Sequence, residues 1–506
     1  MCFEKTKEIK KRKYNIKLIS VFVLFAIIFG SISIVNHYQL RTCALDFGMF
    51  NHAIFNFSHF KQAYYTLGIS GKEMLFLGTH FSLITILFSP FYYLFGSYTL
   101  LIIQIFAILM GGLASYKYAK FKFDDNSIIP FIVCIHFFSI WGIYSALSVG
   151  FHNNVIGAML VMWFIYYLEK RKLIYSFIFL ILILFCKEVM AIWLFFVIIG
   201  LMIKNRKKYS KEYIKFEIPA AVFCIVYGVI VIFFVMPLLQ GVNSNLQFSR
   251  YSYLGSSIVE IFSNIIHNPS YFVSIFFRNT LPDNLYSGIK LETYLMILAS
   301  GGILLFFRPV YLLMMIPLFA QKFLSNNYGF WGINGQYSIE FVPILSLILI
   351  DFIQSVKKYK KQKIIAIGIT LLTLFMSFSK LENRTSKWYD KTNTVFYNKR
   401  HYQPNLNLSK IYKAIRYIPE DEIISVSSCL APHLAFREKI YHFPIVKNAK
   451  YIILICKKRS TYPLVKNDFA REVNKYRNSK IFEIVYDNYN LLILRKKNIS
   501  FLEYSG

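Results

Sequence analysis

Eleven polar residues stand out because they border or interrupt apolar sequence: Asp46, His80, His152 with Asn153 and Asn154, Lys187 with Glu188, Arg250, and Gln336, Tyr337 and Glu340. Their types suit group transfer involving an anionic substrate. A carboxylate such as Asp46 takes a proton from an attacking hydroxyl or contacts a divalent metal. Lys187 is a compact cation on a flexible stem that can hold a phosphate, and Arg250 can add a second cationic contact. Each also has a plainer reading. Asp46 can cap the helix that follows it, Lys187 and Glu188 can pair at a solvated turn, and His80 and the His152 group can satisfy helix ends. Glu340 lies about one turn inside apolar sequence, so it must face protein or water. His136 reads as a satisfied packing residue, and Gly111, Gly112 and Ser115 as a close helix contact.

The elements that position these residues follow from composition. Of 506 residues, 56% are hydrophobic and 16% charged, against about 45–50% and about 25% in soluble domains. The excess falls into about ten apolar runs of fourteen to twenty-three residues, the length that crosses a ~30 Å hydrocarbon layer at ~1.5 Å per residue. The chain is therefore expected to be an α-helical polytopic membrane protein. A soluble enzyme and a disordered or fibrous chain are both excluded. The net charge of +31 comes from clusters between apolar runs, where it reads as orientation signals and contacts to anionic membrane lipids; no nucleic acid or nucleotide partner is expected. Phosphate-loop, dinucleotide-loop and His-Glu-x-x-His motifs are missing, so nucleotide-driven chemistry is not expected. Among the seven cysteines, Cys429 and Cys456 are the two open to pairing if the tail is exported.

Basic clusters at 7–17, 117–122, 169–172, 204–211, Arg308 and 357–363 should share the cytoplasmic side. An even number of crossings then separates each from the next. That makes 80–96, which contains Pro90, an interfacial or re-entrant segment. About eleven crossings remain, near 17–37, 98–116, 127–147, 151–168, 173–186, 189–203, 217–237, 292–307, 309–324, 336–356 and 363–379. Residues 173–203 would measure ~45 Å as one helix, too long for one crossing, so they form a hairpin with Lys187 and Glu188 at its tip. The organisation expected is a basic cytoplasmic amino terminus (1–16), held by an uncleaved anchor, and a membrane domain (17–379) with outer loops 38–97 and 238–291. An extracytoplasmic α/β domain (380–506) follows.

In the first loop, residues 46–60 predict a surface helix with Phe47, Phe50, Ile54 and Phe57 on one face and His52, Asn56 and His59 on another. Residues 251–278 carry a weaker version of the pattern. In the tail, strands are predicted near 423–427, 439–443, 451–456, 481–486 and 491–494, with a helix at 463–476. No internal repeat is visible.

The order Leu45-Asp46-Phe47-Gly48-Met49-Phe50, Gly78-Thr79-His80-Phe81-Ser82, Phe151-His152, Lys187-Glu188 and the stretch from Tyr337 to Pro343 resembles an uncharacterised bacterial and archaeal family of predicted membrane proteins, a domain of unknown function. Ser428-Cys429-Leu430-Ala431-Pro432-His433-Leu434, Arg437 and Tyr441-His442-Phe443-Pro444 extend the likeness into the tail. That family in turn resembles the GT-C glycosyltransferases. The resemblance implies transfer of a sugar from a polyprenyl-phosphate lipid on the outer membrane face. Asp46 then matches the acid of the first outer loop, serving as base or metal contact. In the family pattern an acid often stands where this chain has Asn154 and another where it has Val189, which weighs against a metal site.

Two classes of function follow. In the first, Asp46, Lys187 and Glu188 are catalytic, while His80, His152, Arg250, Gln336, Tyr337 and Glu340 bind substrate. In the second, a transporter or lipid flippase, polar residues line a path without covalent chemistry; carriers favour midplane charges and inverted repeats, whereas these residues crowd one boundary. A scaffold whose tail docks a protein partner is a third possibility.

Overall fold

The computed structural model describes residues 2–124, 126–206, 211–241, 248–387 and 389–497. Residues 207–210 of the fourth basic cluster, 242–247 of the second outer loop and 498–506 of the tail lie outside these. The chain forms two compact units, one of residues 1–32 and 104–396, the other of 33–103 and 397–506. The first loop thus folds with the tail.

Apolar sequence in lipid must satisfy its backbone internally, and helices do so. Four helices are long and apolar enough to cross a membrane: Ile16–Tyr38, Ile84–Lys122, Ile214–Gln240 and Tyr359–Glu382. Ile129–Ser139 and Trp141–Leu147, bent by 44°, make a fifth if taken as one span. Other expected crossings are shorter helices: Leu173–Leu184, Met190–Asn205, Val310–Phe323 and Phe341–Ser355. A helix the length of Val310–Phe323 is ~21 Å long, less than the ~30 Å hydrocarbon layer. The segment 292–307 divides into Ile289–Ala299 and Gly302–Phe306 around Gly301, whose φ of +103° breaks the helix. The first part of Ile84–Lys122 is likewise a run of short helical turns, with Pro90 in a 3-10 turn and Gly96 at φ +52°, and it leads into the continuous helix Thr99–Lys122.

In the first unit the small residues do what their type suggests. A Cβ on Gly112 would stand 2.2 Å from the Phe138 ring, and one on Gly111 2.7 Å from Met159 Sδ. Ser115 and Ser346 share a hydroxyl hydrogen bond of 2.7 Å, and His136 Nε2 donates to the Ser300 carbonyl at 3.1 Å. Charged residues from separate clusters meet in one network: Glu169 receives Lys122 at 2.7 Å and Lys204 at 3.3 Å, while Asp351 receives Arg308 at 2.9 Å. Lys204 joins the two halves, 3.8 Å from Asp351. Asp351 lies just before the last basic cluster.

Residues 251–278 form two helices, Ile258–His267 and Pro269–Phe277. Ser257 caps the first by accepting from the Glu260 N–H, and Val259, Phe262 and Ile266 leave an apolar face exposed.

In the second unit, β1 (Tyr64–Tyr65) and β2 (Met74–Leu75) make a small antiparallel pair. The tail supplies the five expected strands, β3 (Ile424–Val426), β4 (Ile440–His442), β5 (Tyr451–Ile455), β6 (Phe482–Asn488) and β7 (Leu491–Lys496), and the helix Lys466–Arg477. The sheet order is β4-β3-β5-β7-β6, with β3 parallel to both neighbours and the last two strands antiparallel. One face packs Ile452, Leu454, Leu492 and Leu494 against Phe469 and Val473 of that helix. Cys429 and Cys456 do not form a disulfide; both are free thiols. Cys456 packs into the core beneath the helix, whereas Cys429, buried in the turn after β3, lies in electrostatic reach of Cys43 and Arg459.

Candidate functional site

The second unit carries Asp46 on a turn that helix propensity would not produce. Leu45 is extended at φ −67° and ψ 143°, and Asp46 adopts φ +60° and ψ −85°. That pair lies near the strained γ-turn conformation, which costs a residue with a Cβ on the order of 1–3 kcal/mol. Its surroundings hold it there. Ala44 N–H donates to Ser428 Oγ at 3.2 Å, Gly48 N–H to the Cys43 carbonyl at 3.1 Å, and Met49 N–H to the Ala44 and Asp46 carbonyls. Ala44, Phe47 and Gly48 are buried, and a Cβ on Gly48 would meet Leu67 at 3.4 Å and Ala431 at 3.5 Å.

The capping reading of Asp46 does not hold. The helix begins only at Met49, its N-cap is Gly48, and no side chain caps it. The Asp46 carboxylate is partly exposed and has no hydrogen bond or ion pair among the described residues. The surface-helix expectation is corrected as well: Met49–Ser58 buries His52 and Asn56 together with Phe50 and Ile54. His52 is tied down because Nδ1 meets the Ala435 carbonyl at 2.9 Å and Nε2 the Tyr64 carbonyl at 3.0 Å. Burial lowers its pKa, opposed by those two backbone contacts.

The place of the Asp46 turn in the topology is informative. In the order β4-β3-β5 the chain steps from β3 to one side and then to the other, so β3 and β5 flank a switch point. Open parallel sheets bind ligands outside the carboxyl ends of such strands. At that end Ser427 Oγ accepts the Ile455 N–H at 2.9 Å, and Ser428 holds the Asp46 turn. Beside it, His37 and His433 stack face to face, with ring centroids 3.8 Å apart and planes 4° apart. His37 also contacts Thr42 Oγ1 at 2.9 Å, Ser97 Oγ at 3.0 Å and the Phe47 ring. Burial lowers the His433 pKa to about 3, so its ring is neutral at ordinary pH. His80, in the same unit, rests against the Phe50 and Phe76 rings.

The remaining candidates lie in the first unit, most of them around the start of helix Asn153–Glu169. His152 N–H donates to Gln104 Oε1 at 2.9 Å. Asn154 Nδ2 donates to Glu340 Oε1 at 2.8 Å and to the Gln336 carbonyl at 3.2 Å. Lys187, half-buried in the turn between Leu173–Leu184 and Met190–Asn205, lies in electrostatic reach of Glu340. Its neighbour Glu188 is 6% exposed, and Oε2 has no hydrogen-bond partner. Arg250 lies over the Phe330 ring at 4.8 Å, and that ring meets Tyr337 at 4.0 Å. From Asn154 to Glu169 the helix climbs ~22 Å, so the polar cluster and the ionic network occupy opposite ends.

Two residues of this cluster were not singled out in the sequence. Lys322, 1% exposed, donates to the Gly332 and Tyr337 carbonyls at 2.8 and 3.2 Å and to Ser338 Oγ at 3.1 Å. It thereby fixes the segment that presents Gln336, Tyr337 and Glu340; a lone lysine inside an apolar run was the available signal. Gln104, a lone amide in an apolar run, orders the His152 turn by also donating to the Gly150 carbonyl at 2.8 Å. Among the described residues, no group of three or more His, Cys, Asp and Glu gathers as metal ligands would.

Apolar helices of spanning length and a polar cluster at their ends define a helical membrane protein. The chain belongs to the family described as predicted membrane protein (DUF2079), which matches residues 36–480 and so includes every candidate residue named above. Comparison with curated proteins finds no match.

Proposed function

We propose that this protein is a membrane glycosyltransferase of GT-C type, moving a sugar from a polyprenyl-phosphate lipid to an acceptor on the outer face of the cell membrane. Asp46 takes the proton of the acceptor hydroxyl, the oxygen bonds to the anomeric carbon, and the sugar–phosphate bond breaks with its electron pair going to the lipid phosphate. Lys187, together with Arg250, stabilises that phosphate, and Glu188 completes the catalytic group. His80, His152, Gln336, Tyr337 and Glu340 bind substrate. Direct displacement inverts the anomeric carbon.

The observation that carries this reading is Asp46: an unpartnered carboxylate in a strained turn seated at the switch point of an α/β sheet. Strain of this kind concentrates at functional sites. The meeting of Lys122, Glu169, Lys204, Arg308 and Asp351 supports the even parity of the intervening segments. The cytoplasmic amino terminus, the eleven crossings and the extracytoplasmic tail are proposed from the basic clusters themselves. Asp46→Asn is expected to abolish sugar transfer from lipid phosphate in membranes while leaving protein abundance unchanged. Retained transfer rejects the assignment, and substrate flux through vesicles without covalent change replaces it with a carrier.

A further inference from the structure

Within the second unit a cleft of about 1120 Å³ opens between the end of helix Ile16–Tyr38, the Gly96–Tyr98 turn and the tail segment 409–437. Its walls are aromatic and basic. Tyr38 and Tyr412 stack at 5.6 Å with planes 19° apart, and Tyr412 Oη donates to the Tyr38 carbonyl at 2.8 Å. Tyr98 extends the same wall. Lys413 and Arg416 are exposed and make no ion pair among the described residues, and Glu420 is the one acid in the lining. His433 Nε2 is buried with no hydrogen-bond partner. Arg437, by contrast, is fully engaged with the Leu434, Pro419 and Glu422 carbonyls.

We propose that this cleft binds an acidic saccharide, a short run of sugar rings bearing carboxylates or phosphates, and that it is the acceptor subsite. This rests on the glycosyltransferase reading and adds the acceptor's chemical class. The C–H faces of pyranose rings pack on flat tyrosines, hydroxyls meet phenols, and the two free cations select for negative charge. The volume exceeds the ~300–1,000 Å³ of a site for one small ligand and suits several linked rings. Its place beside the Asp46 turn follows from His433, whose helix Ala431–Leu434 packs on that turn through Ala431.

The test is equilibrium binding of tetragalacturonate to the full-length protein in neutral detergent. Maltotetraose, inorganic phosphate and phosphatidylglycerol vesicles serve as separate probes. The expected result is saturable tetragalacturonate binding that weakens with salt, falls at least tenfold in Lys413→Ala/Arg416→Ala, and falls again in Tyr412→Ala. Maltotetraose or phosphate binding as tightly, binding confined to vesicles, or unchanged binding in the double variant overturns the proposal. Sugar transfer without tetragalacturonate binding overturns the cleft assignment alone. Binding that obeys the expected pattern, with no transfer from any lipid-phosphate sugar, supports the cleft and overturns the glycosyltransferase reading.

Discussion

Replacing Asp46 by glycine removes a carboxylate and a Cβ together, at a backbone position of φ +60° and ψ −85°. A side chain held there carries strain on the order of 1–3 kcal/mol. Glycine releases it, at a cost of about 0.5–1 kcal/mol from the greater freedom of the unfolded chain. The net expectation is a protein more stable by up to about 2.5 kcal/mol. Asp46→Ala keeps the Cβ, and the carboxylate it deletes has no partner, so its stability should stay at or slightly below that of the wild type. Thermal unfolding of the full chain in one detergent, followed by circular dichroism, ranks the three. Both variants should lose sugar transfer. If glycine melts at or below alanine, the turn stores no strain, and the inference from strain to function falls with it.

Further outcomes follow from packing and charge. Gly112→Leu drives a side chain into the Phe138 ring and should lower stability by about 1–3 kcal/mol or prevent insertion, read from thermal unfolding and membrane abundance. Glu169→Gln removes the part-buried carboxylate shared by Lys122 and Lys204, leaving Lys204 only the more distant Asp351, and should cost about 1–3 kcal/mol in the same melt. His433 is held to about 3 in the folded protein, while the unfolded chain titrates near ~6.5. The unfolded state therefore binds the proton first as pH falls. The stability this ring contributes is complete above about pH 6.5 and declines toward pH 3, with a slope of up to ~1.4 kcal/mol per unit. His433→Phe should flatten that part of the pH–stability curve.

What the sequence reveals divides along the range of the interactions involved. The tail strands were readable because alternation and turn residues act locally, and the break at Lys187 and Glu188 because length alone forbids one helix. Gly111 and Gly112 were readable because small residues in an apolar run have few other uses. The network of Lys122, Glu169, Lys204, Arg308 and Asp351 was foreshadowed only as a shared side. The folding of residues 33–103 with the tail depends on contacts such as Ala44–Ser428 and His52–Ala435, more than 380 positions apart, which no local pattern encodes. For the same reason the buried polar face of Met49–Ser58 looked solvent-facing. Asp46's backbone was hidden too, because its neighbours, not its own type, impose the positive φ. Lys322 escaped notice because two of its three partners are backbone carbonyls, which leave no trace in side-chain patterns.

The proposed sugar transfer requires Asp46 and Lys187 to share one compartment outside the cell. In intact cells, a single cysteine is placed at either position in a protein whose seven native cysteines are changed to serine, and exposed to a membrane-impermeant maleimide. Both positions are expected to label before the membrane is permeabilised. If either one labels only after permeabilisation while the other labels from outside, the shared site does not exist.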